Sequence, residues 1–395
     1  MRGVAASAPP FGAANRASLP PVDRQPFLDR LREQMVRRRL DLLVVTSLVN
    51  VRYLCGFSGS AGLLVLSESD AVLVTDGRYG LQAPAEVAMG GARVRVEALA
   101  APDQVRLLGE LVGAAATAGR SRVGLEAEHV SWATQRSWAT AWGRYCTLVG
   151  TVGVVEAMRQ HKGPAELARV RSAASLADQA LSACLAMLAE RPSEAEVALA
   201  LDSTMRSLGA EAPAFSTIVA SGPNAAEPHH QPTRRAVERG ELVVLDFGAR
   251  VDGYCSDMTR TVVAGLGEGE RAGGPTGELR RALEVVLASQ DAGLAAVRGG
   301  VRGPEVDRAC REVVGAAGLA ERFVHGTGHG VGLEVHEAPA LGASSQDILS
   351  PGQVVTVEPG VYLPGVGGAR TEDTVVVTEH GCEVLTLSPK YRPVP

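Results

Sequence analysis

Residues 245–261 read LDFGARVDGYCSDMTRT, and two aspartates, Asp246 and Asp257, sit there in apolar, strand-like surroundings on either side of a turn near Asp252-Gly253. Two such runs around a polar turn imply a β-hairpin. The midpoint between the aspartates falls in that turn, so they are expected to face each other across the hairpin. Directly opposed residues of an antiparallel pair project to one face, about 4.5–5.5 Å apart at Cβ, and two carboxylates would converge there. Like charges so placed repel. A lone aspartate in such a place caps a turn or solvates an edge; a pair embedded in apolar strands asks for another explanation.

The theme repeats downstream. Glu358 lies in VVTVEPG (354–360) and Glu372 in ARTEDTVVV (369–377), acidic side chains inside Val-rich runs that otherwise read as buried strands. Burying a carboxylate is costly unless it is paired or bound to metal. The string VHGTGHGVGLEVHE (324–337) supplies imidazoles at His325, His329 and His336, among glycines that permit tight turns and close backbone approach. Four carboxylates and one imidazole match two divalent cations with mixed oxygen and nitrogen ligands, since the charges of two M²⁺ and four COO⁻ cancel. Mn²⁺, Co²⁺ and Zn²⁺ all suit such a set. Lacking cysteine and rich in oxygen, it reads as a catalytic pair with room for a bridging water, not as a structural zinc cluster.

At 395 residues the chain exceeds the size of a single hydrophobic core, so two domains are expected. Residues 1–25, rich in Ala and Pro and without the continuous apolar core of a signal peptide, read as a disordered tail. Residues 26–154 read as an α/β domain: an amphipathic stretch, LDLLVVT, a hairpin turning at 68–70, then VRVEAL, RVGLEAE and helical segments at 103–116 and 131–142. Residues 155–395 read as an α+β domain. A helix opens at Pro164 and carries Leu167, Val170, Ala174, Leu181 and Leu185 inward, and another opens at Ser193, whose spacing to Glu196 is that of a capping box. Helical patterns at 277–296 and 304–317 alternate with FSTIVAS, ELVVLDFGA, GYCSDMTRTVVA, QVVTVEPGVYL and ARTEDTVVVT, which implies helices packed on a mainly antiparallel sheet.

Composition narrows the function. Lysine and arginine total 39 against 44 acidic residues, with no basic run interleaved with aromatics, which argues against nucleic acid. No apolar stretch approaches the roughly 20 residues needed to span a bilayer, so a soluble protein without a membrane partner is expected. The six cysteines form no CxxC pair or tight framework, which suits reduced thiols in the cytoplasm. GLGEGERA (265–272) contains a GxGxxA spacing, yet no buried βαβ unit with a ribose-binding acid follows it, and it reads as a loop. GFSGSAG does not match the GxSxG nucleophile elbow.

SGPNAAEPHHQPT, LDFGARVDGYCSDMTRT, HGTGHGVGLEVHE, VEPGVY and GARTEDTVVVT resemble, in order, the active-site segments of the pita-bread metallopeptidases, the family of methionine aminopeptidase, prolidase and aminopeptidase P. NVRYLCGFSGSAG and TDGRYGLQA resemble the amino-terminal domain of Xaa-Pro aminopeptidases. The resemblance covers nearly the whole chain. It implies a creatinase-like α/β domain followed by an α+β pita-bread catalytic domain. It implies that Asp246 binds one metal, that His329 and Glu358 bind the other, and that Asp257 and Glu372 bridge the two. All five positions are retained, which separates the chain from creatinase and histone-chaperone relatives that use the fold without these metals.

The family further implies that a metal-bridging hydroxide attacks the scissile carbonyl while Glu358 passes its proton toward the leaving amine. His229 (in EPHHQPT), His325 and His336 correspond to pocket histidines that donate to the developing oxyanion and hold the proline side. Family spacing favours His229 over the adjacent His230. Arg370 is expected to orient a bridging or a substrate carboxylate, or to form a structural salt bridge. Gly326 stands where some relatives carry arginine, which bears on subsite preference. The implied activity is release of the amino-terminal residue from peptides with proline in second position, by a homodimer using two divalent ions, Mn²⁺ first among them. A prolidase restricted to Xaa-Pro dipeptides is the alternative, and a catalytically silent binding protein of the same fold is a more distant one.

Overall fold

The protein is described by a computed structural model at residues 19–116, 119–265, 275 and 277–390; the described residues divide into two compact units, one within Pro21–Arg159 and the other from Gln160 onward together with Leu19 and Pro20. In the first, helix α1 (Gln25–Arg38) buries Phe27, Leu28, Leu31 and Met35, the one-sided stripe of an amphipathic helix. Strands β1 (Leu42–Val45), β2 (Gly62–Ser67), β3 (Ala71–Thr75), β4 (Arg95–Ala98), β5 (Ser121–Glu126) and β6 (Cys146–Thr151) form one sheet in the order β4-β3-β2-β1-β5-β6. β2 and β3 are the expected hairpin, with Leu66 opposite Ala71. The β1-β5, β5-β6 and β3-β4 pairs are parallel, which makes the sheet mixed.

Helices α2 (Leu48–Cys55), α3 (Gln82–Met89), α4 (Ala101–Ala114), α5 (Trp132–Trp142) and α6 (Val154–Arg159) complete this unit. The chain passes to the second unit after Arg159, not at 155, because the buried Arg159 donates to Asn50 of α2 at 2.9 Å. Of the expected tail, residues 1–18 lie outside the described residues. Val22 and Arg24 are buried, and the Arg24 N–H donates to the Gly90 carbonyl at 3.0 Å, so the stretch from Val22 is folded rather than part of a tail.

The second unit opens with α7 (Pro164–Cys184), which buries Val170, Ala174 and Leu181 as expected. Continued by a 3-10 turn, the run Pro164–Glu190 is 27 residues long and, by length and composition, apolar enough to cross a membrane, which was not expected. Half of its most apolar window is buried inside the protein. Ala177, Leu181 and Leu185 pack there with Val243 and Leu245, the place of a core helix. Helix α8 (Glu194–Ser207) carries the capping box, the Glu196 carboxylate accepting from the Ser193 N–H at 2.8 Å. Helices α9 (Gly277–Ala296) and α10 (Gly303–Ala316) follow.

In chain order the strands are β7 (Ala212–Pro213), β8 (Ile218–Ser221), β9 (Leu242–Phe247), β10 (Ala249–Val251), β11 (Tyr254–Cys255), β12 (Met258–Val263), β13 (Gly328–Gly330), β14 (Glu337–Leu341), β15 (Val354–Val357), β16 (Gly360–Leu363), β17 (Gly367–Arg370), β18 (Asp373–Val377) and β19 (Cys382–Val384). They pair as β12-β9-β8, β11-β10-β7, β14-β13-β15-β18-β19 and β16-β17. Each pairing among the described residues of this unit is antiparallel. Apart from Gly265, the GLGEGERA stretch lies outside the described residues.

Candidate metal centre

The hairpin turns at Asp252-Gly253, both with positive φ (45° and 84°), as a two-residue primed turn demands. Val251 pairs with Tyr254 and Arg250 with Cys255. The same register continues into β9-β12, where Asp246 pairs with Thr259. Asp246 and Asp257 are therefore not directly opposed, because the turn centre lies beyond the midpoint between them. The slip is two positions, an even number, so both side chains keep the same face and meet as diagonal neighbours. A Cβ on Gly248 would lie 1.9 Å from the Ser256 carbonyl oxygen; only glycine lets the chain pass so closely beside Asp257.

The other acids also occupy strand ends. Glu358 directly follows β15 and Glu372 directly precedes β18, and the last β15 residue, Val357, pairs with the first of β18, Asp373. Backbone bonds hold these ends: the Glu358 N–H donates to the Thr327 carbonyl (2.8 Å) and the Glu372 N–H to the Thr259 carbonyl (3.1 Å). His329 projects from β13. Ligand-type atoms lie within 4.8 Å of one another in three overlapping groups: Asp246, Asp257 and Glu372; His329, Glu358 and Glu372; and Asp257, His329 and His336. All five residues expected to ligate metal are thus gathered, with His336 at the margin.

Asp246 Oδ1, Asp257 Oδ1 and Glu372 Oε1 are buried and accept no hydrogen bond. Anionic oxygens in that condition are suited to a cation, so the donor set fits divalent metal. Burial, reinforced by Glu372, Asp246 and Glu358, pushes the Asp257 carboxyl well above the usual carboxylate range. Burial, with Glu358 and Asp246, does the same to Glu372. Burial raises Asp246 despite the pull of Arg370. Glu358 goes the other way: burial is outweighed by the hydrogen bond and charge of His329, with help from His325 and Arg370, and its pKa falls to about 2. His329 Nδ1 lies 3.0 Å from the Gly330 carbonyl, which can only accept, so Nδ1 carries a proton; Nε2, 3.3 Å from Glu358, is the nitrogen that would give up its proton to ligate a metal.

A cavity of about 420 Å³ opens over these groups and is also lined by Phe215, Ile218, Pro228, His229, Gln231, His325, His336 and Arg370. His229 faces it, whereas His230 is buried against Glu194. His229 and His336 make no hydrogen bond among the described residues. His325 does not fit its expected role as a donor, because both ring nitrogens are engaged at 2.8 Å, Nδ1 with the Gly326 carbonyl and Nε2 with the Tyr362 hydroxyl. Arg370 does not fit a substrate carboxylate either. Its guanidinium donates to Asp246 (2.6 Å), the Tyr362 hydroxyl (2.8 Å), the Pro228 carbonyl (3.1 Å) and the Thr259 hydroxyl (3.1 Å), so it is a holder of Asp246.

Two hydroxyls went unnoticed in the sequence. The Thr259 hydroxyl donates to Glu372 Oε2 at 2.7 Å, and Tyr362 joins Arg370 to His325. The one signal for Tyr362 is a phenol at the end of the Val-rich run VVTVEPGVYL, since a buried tyrosine hydroxyl seeks a partner.

Comparison with known proteins shows the family of the chain. Residues 28–161 match the creatinase/prolidase N-terminal domain, and residues 168–379 match metallopeptidase family M24. The uncharacterized peptidase YqhT of Bacillus subtilis is 38% identical over 369 residues, which cover 92% of this chain and 98% of that protein. An Xaa-Pro dipeptidase structure from Bacillus anthracis superposes with a TM-score of 0.84 at 35% identity, covering 93% of this chain and 98% of that one. An X-Pro aminopeptidase structure from Thermotoga maritima gives 0.82 at 34% identity, covering 93% and 100%. The buried acids and imidazoles all lie within the matched segment, and the chain belongs to metallopeptidase family M24, a hydrolase with a pita-bread domain behind a creatinase-type N-terminal domain.

Proposed function

We propose that this protein is a metal-dependent exopeptidase that releases the amino-terminal residue from peptides with proline in second position, with two divalent cations, Mn²⁺ foremost, held by Asp246, Asp257, His329, Glu358 and Glu372. The observation that carries it is the trio of buried carboxylate oxygens without a hydrogen-bond donor, at the floor of a cavity large enough for a short peptide. When bound, such cations lower the pKa of water and polarise a carbonyl.

The chain's own residues supply the rest. Arg370 and the Thr259 hydroxyl fix the carboxylates of Asp246 and Glu372. Glu358 takes the proton that the attacking water loses and hands it to the leaving amine nitrogen as the C–N bond breaks. His229 and His336, whose ring nitrogens are uncommitted among the described residues, donate to the carbonyl oxygen as it gains charge. Phe215, Ile218 and Pro228 offer apolar surface to a pyrrolidine ring, and an Xaa-Pro amide has no N–H to satisfy. Five of the six free cysteines are buried, which suits a cytoplasmic enzyme; a homodimer belongs to the same proposal, and sedimentation would test it.

An aminopeptidase is favoured over a dipeptidase because Arg370 is the one Arg or Lys among the described lining residues, and four of its five N–H groups are already engaged. A dipeptidase needs a cation for the substrate carboxylate. The dipeptidase reading draws its support from the several relatives and solved structures that are named Xaa-Pro dipeptidase or prolidase, the Bacillus anthracis structure among them. Metal-stripped protein is to be assayed on Xaa-Pro and Xaa-Pro-Xaa peptides, with an Xaa-Ala control, before and after Mn²⁺, Co²⁺ or Zn²⁺. Metal-restored cleavage of the tripeptide is expected; cleavage of the dipeptide alone would establish the alternative, and cleavage of neither by metal-loaded protein would sink the substrate class.

A further inference from the structure

One acid of the second unit is wholly buried yet lies apart from the candidate metal centre. Glu194 opens α8 and is 0% exposed. Its Oε1 accepts from the Ser221 N–H (2.8 Å), the Ser221 hydroxyl (2.8 Å) and the Asn224 amide (3.0 Å). Its Oε2 accepts from the Thr233 N–H (3.0 Å), the Thr233 hydroxyl (2.7 Å) and His230 Nε2 (3.0 Å). A helix start does not call for this, since Ser193 already caps α8. The donors instead come from both ends and the middle of one segment, residues 221–233, which starts at the last residue of β8 and loops toward β9.

That loop carries Pro228, His229 and Gln231 into the cavity. His230 is held with Nε2 on Glu194 and Nδ1 on Glu227 (3.2 Å), which turns its neighbour His229 the other way. On the cavity side, the Pro228 carbonyl accepts from Arg370, which also holds Asp246. The loop is therefore pinned between one buried carboxylate and the guanidinium that fixes a proposed metal ligand. Hydrogen bonds to an ionised acceptor are the strong ones, and a network whose members are all satisfied is rigid.

We infer that Glu194 is a positioning residue for substrate: through His230 and the ends of the 221–233 loop it sets the place of His229 and of the Pro228 carbonyl in the cavity. It touches no substrate itself. The inference rests on the peptidase reading of that cavity.

Glu194→Gln keeps the size of the side chain but turns an amide N–H₂ toward groups that themselves donate. In the metal-loaded variant KM for an Xaa-Pro-Xaa peptide is expected to rise about tenfold with metal content unchanged, the cost of a misplaced binding group. The His229 Cε1–H proton resonance, assigned with His229→Gln, is expected to move while that of His336 stays. A merely structural role would lower the thermal midpoint and the fraction of active enzyme but leave KM and the His229 resonance unchanged, and that result would overturn the inference. If Glu194→Gln does not fold, His230→Ala takes its place: KM is expected to rise, and His230→Gln, whose amide can again donate to Glu194, to restore it. Failure of that rescue also overturns the inference. A wild-type protein inactive on every Xaa-Pro peptide would refute the function instead, and the His229 resonance would still decide the role of Glu194.

Discussion

Two places in the second unit bury carboxylates from solvent and use them in opposite ways. Around Asp246, Asp257 and Glu372 three oxygens accept nothing, and burial with mutual repulsion pushes Asp257 and Glu372 well above the usual carboxylate range. At Glu194, burial is outweighed by hydrogen bonds from Thr233, Ser221, His230 and Asn224, and the pKa falls to about 2. Depth therefore does not tell a ligand site from a structural anchor; the supply of donors does. Adjacent residues show the same contrast. Glu372 faces the candidate centre, whereas Asp373, pointing to the other side of the strand, pairs with Arg260 at 2.7 Å, both side chains being 1% exposed. The unsatisfied cluster is built to receive charge, and the satisfied acids hold the frame around it.

The contrast breaks first if the cluster is dispensable. Asp257→Ala or Glu372→Ala removes an acid shared by two of the ligand-type groups, and turnover on an Xaa-Pro-Xaa peptide is expected to fall about a thousandfold or more, as loss of a metal-activated nucleophile requires. Near-native turnover in either variant would sink the ligand assignment. Removing and restoring metal sharpens the point. Ligation to the native state alone stabilises by about 4 kcal/mol at a thousandfold excess over Kd, so metal is expected to raise the thermal midpoint of stripped protein. Glu372→Ala is expected to lose most of that rise and Glu194→Gln to keep it. Equal midpoints with and without metal in the wild type would favour a silent binding protein of the same fold. Glu194→Ala, which strands buried donors in the 221–233 loop, is expected to cost about 3 kcal/mol in denaturant unfolding.

The acids of the candidate centre were conspicuous in the sequence because nothing else accounts for a carboxylate in a Val-rich run. Their register was hidden. GYCSDMTRTVVA, QVVTVEPGVYL and ARTEDTVVVT each read as one strand, and each is broken by two residues that include the acid: 256–257, 358–359 and 371–372. A period-two pattern records which face a residue takes, not where a ladder ends. Glu194 was invisible for a different reason. An acid in the first turn of a helix is favourable anyway, and the sequence holds nothing to separate Glu194, which anchors a distant loop, from Glu196, which closes the capping box. Only the folded path of residues 221–233 separates them. Arg370 and His325 were legible as cavity residues, but their commitment to Asp246, Tyr362 and Gly326 is a property of packing.

The smallest expected effect probes the sign of the Glu194 shift. Its ordinary pKa of 4.5 describes the unfolded chain and about 2 the folded one, so the unfolded chain takes up the proton first as pH falls. Above pH 4.5 both states are ionised and the stabilisation is fully present; it drains away as pH drops from 4.5 toward 2. Near about pH 3.5 the loss amounts to about 1 kcal/mol. Other carboxylates titrate in the same range, so the quantity to follow is the unfolding free energy of the wild type minus that of Glu194→Gln, which has no proton to take up at this position. That difference is expected to be flat above pH 5 or so and to shrink below it. A difference that holds steady to the acid limit of folding would mean that Glu194 is not a depressed carboxylate among its donors, and the distinction between the two buried sites would lose its electrostatic half.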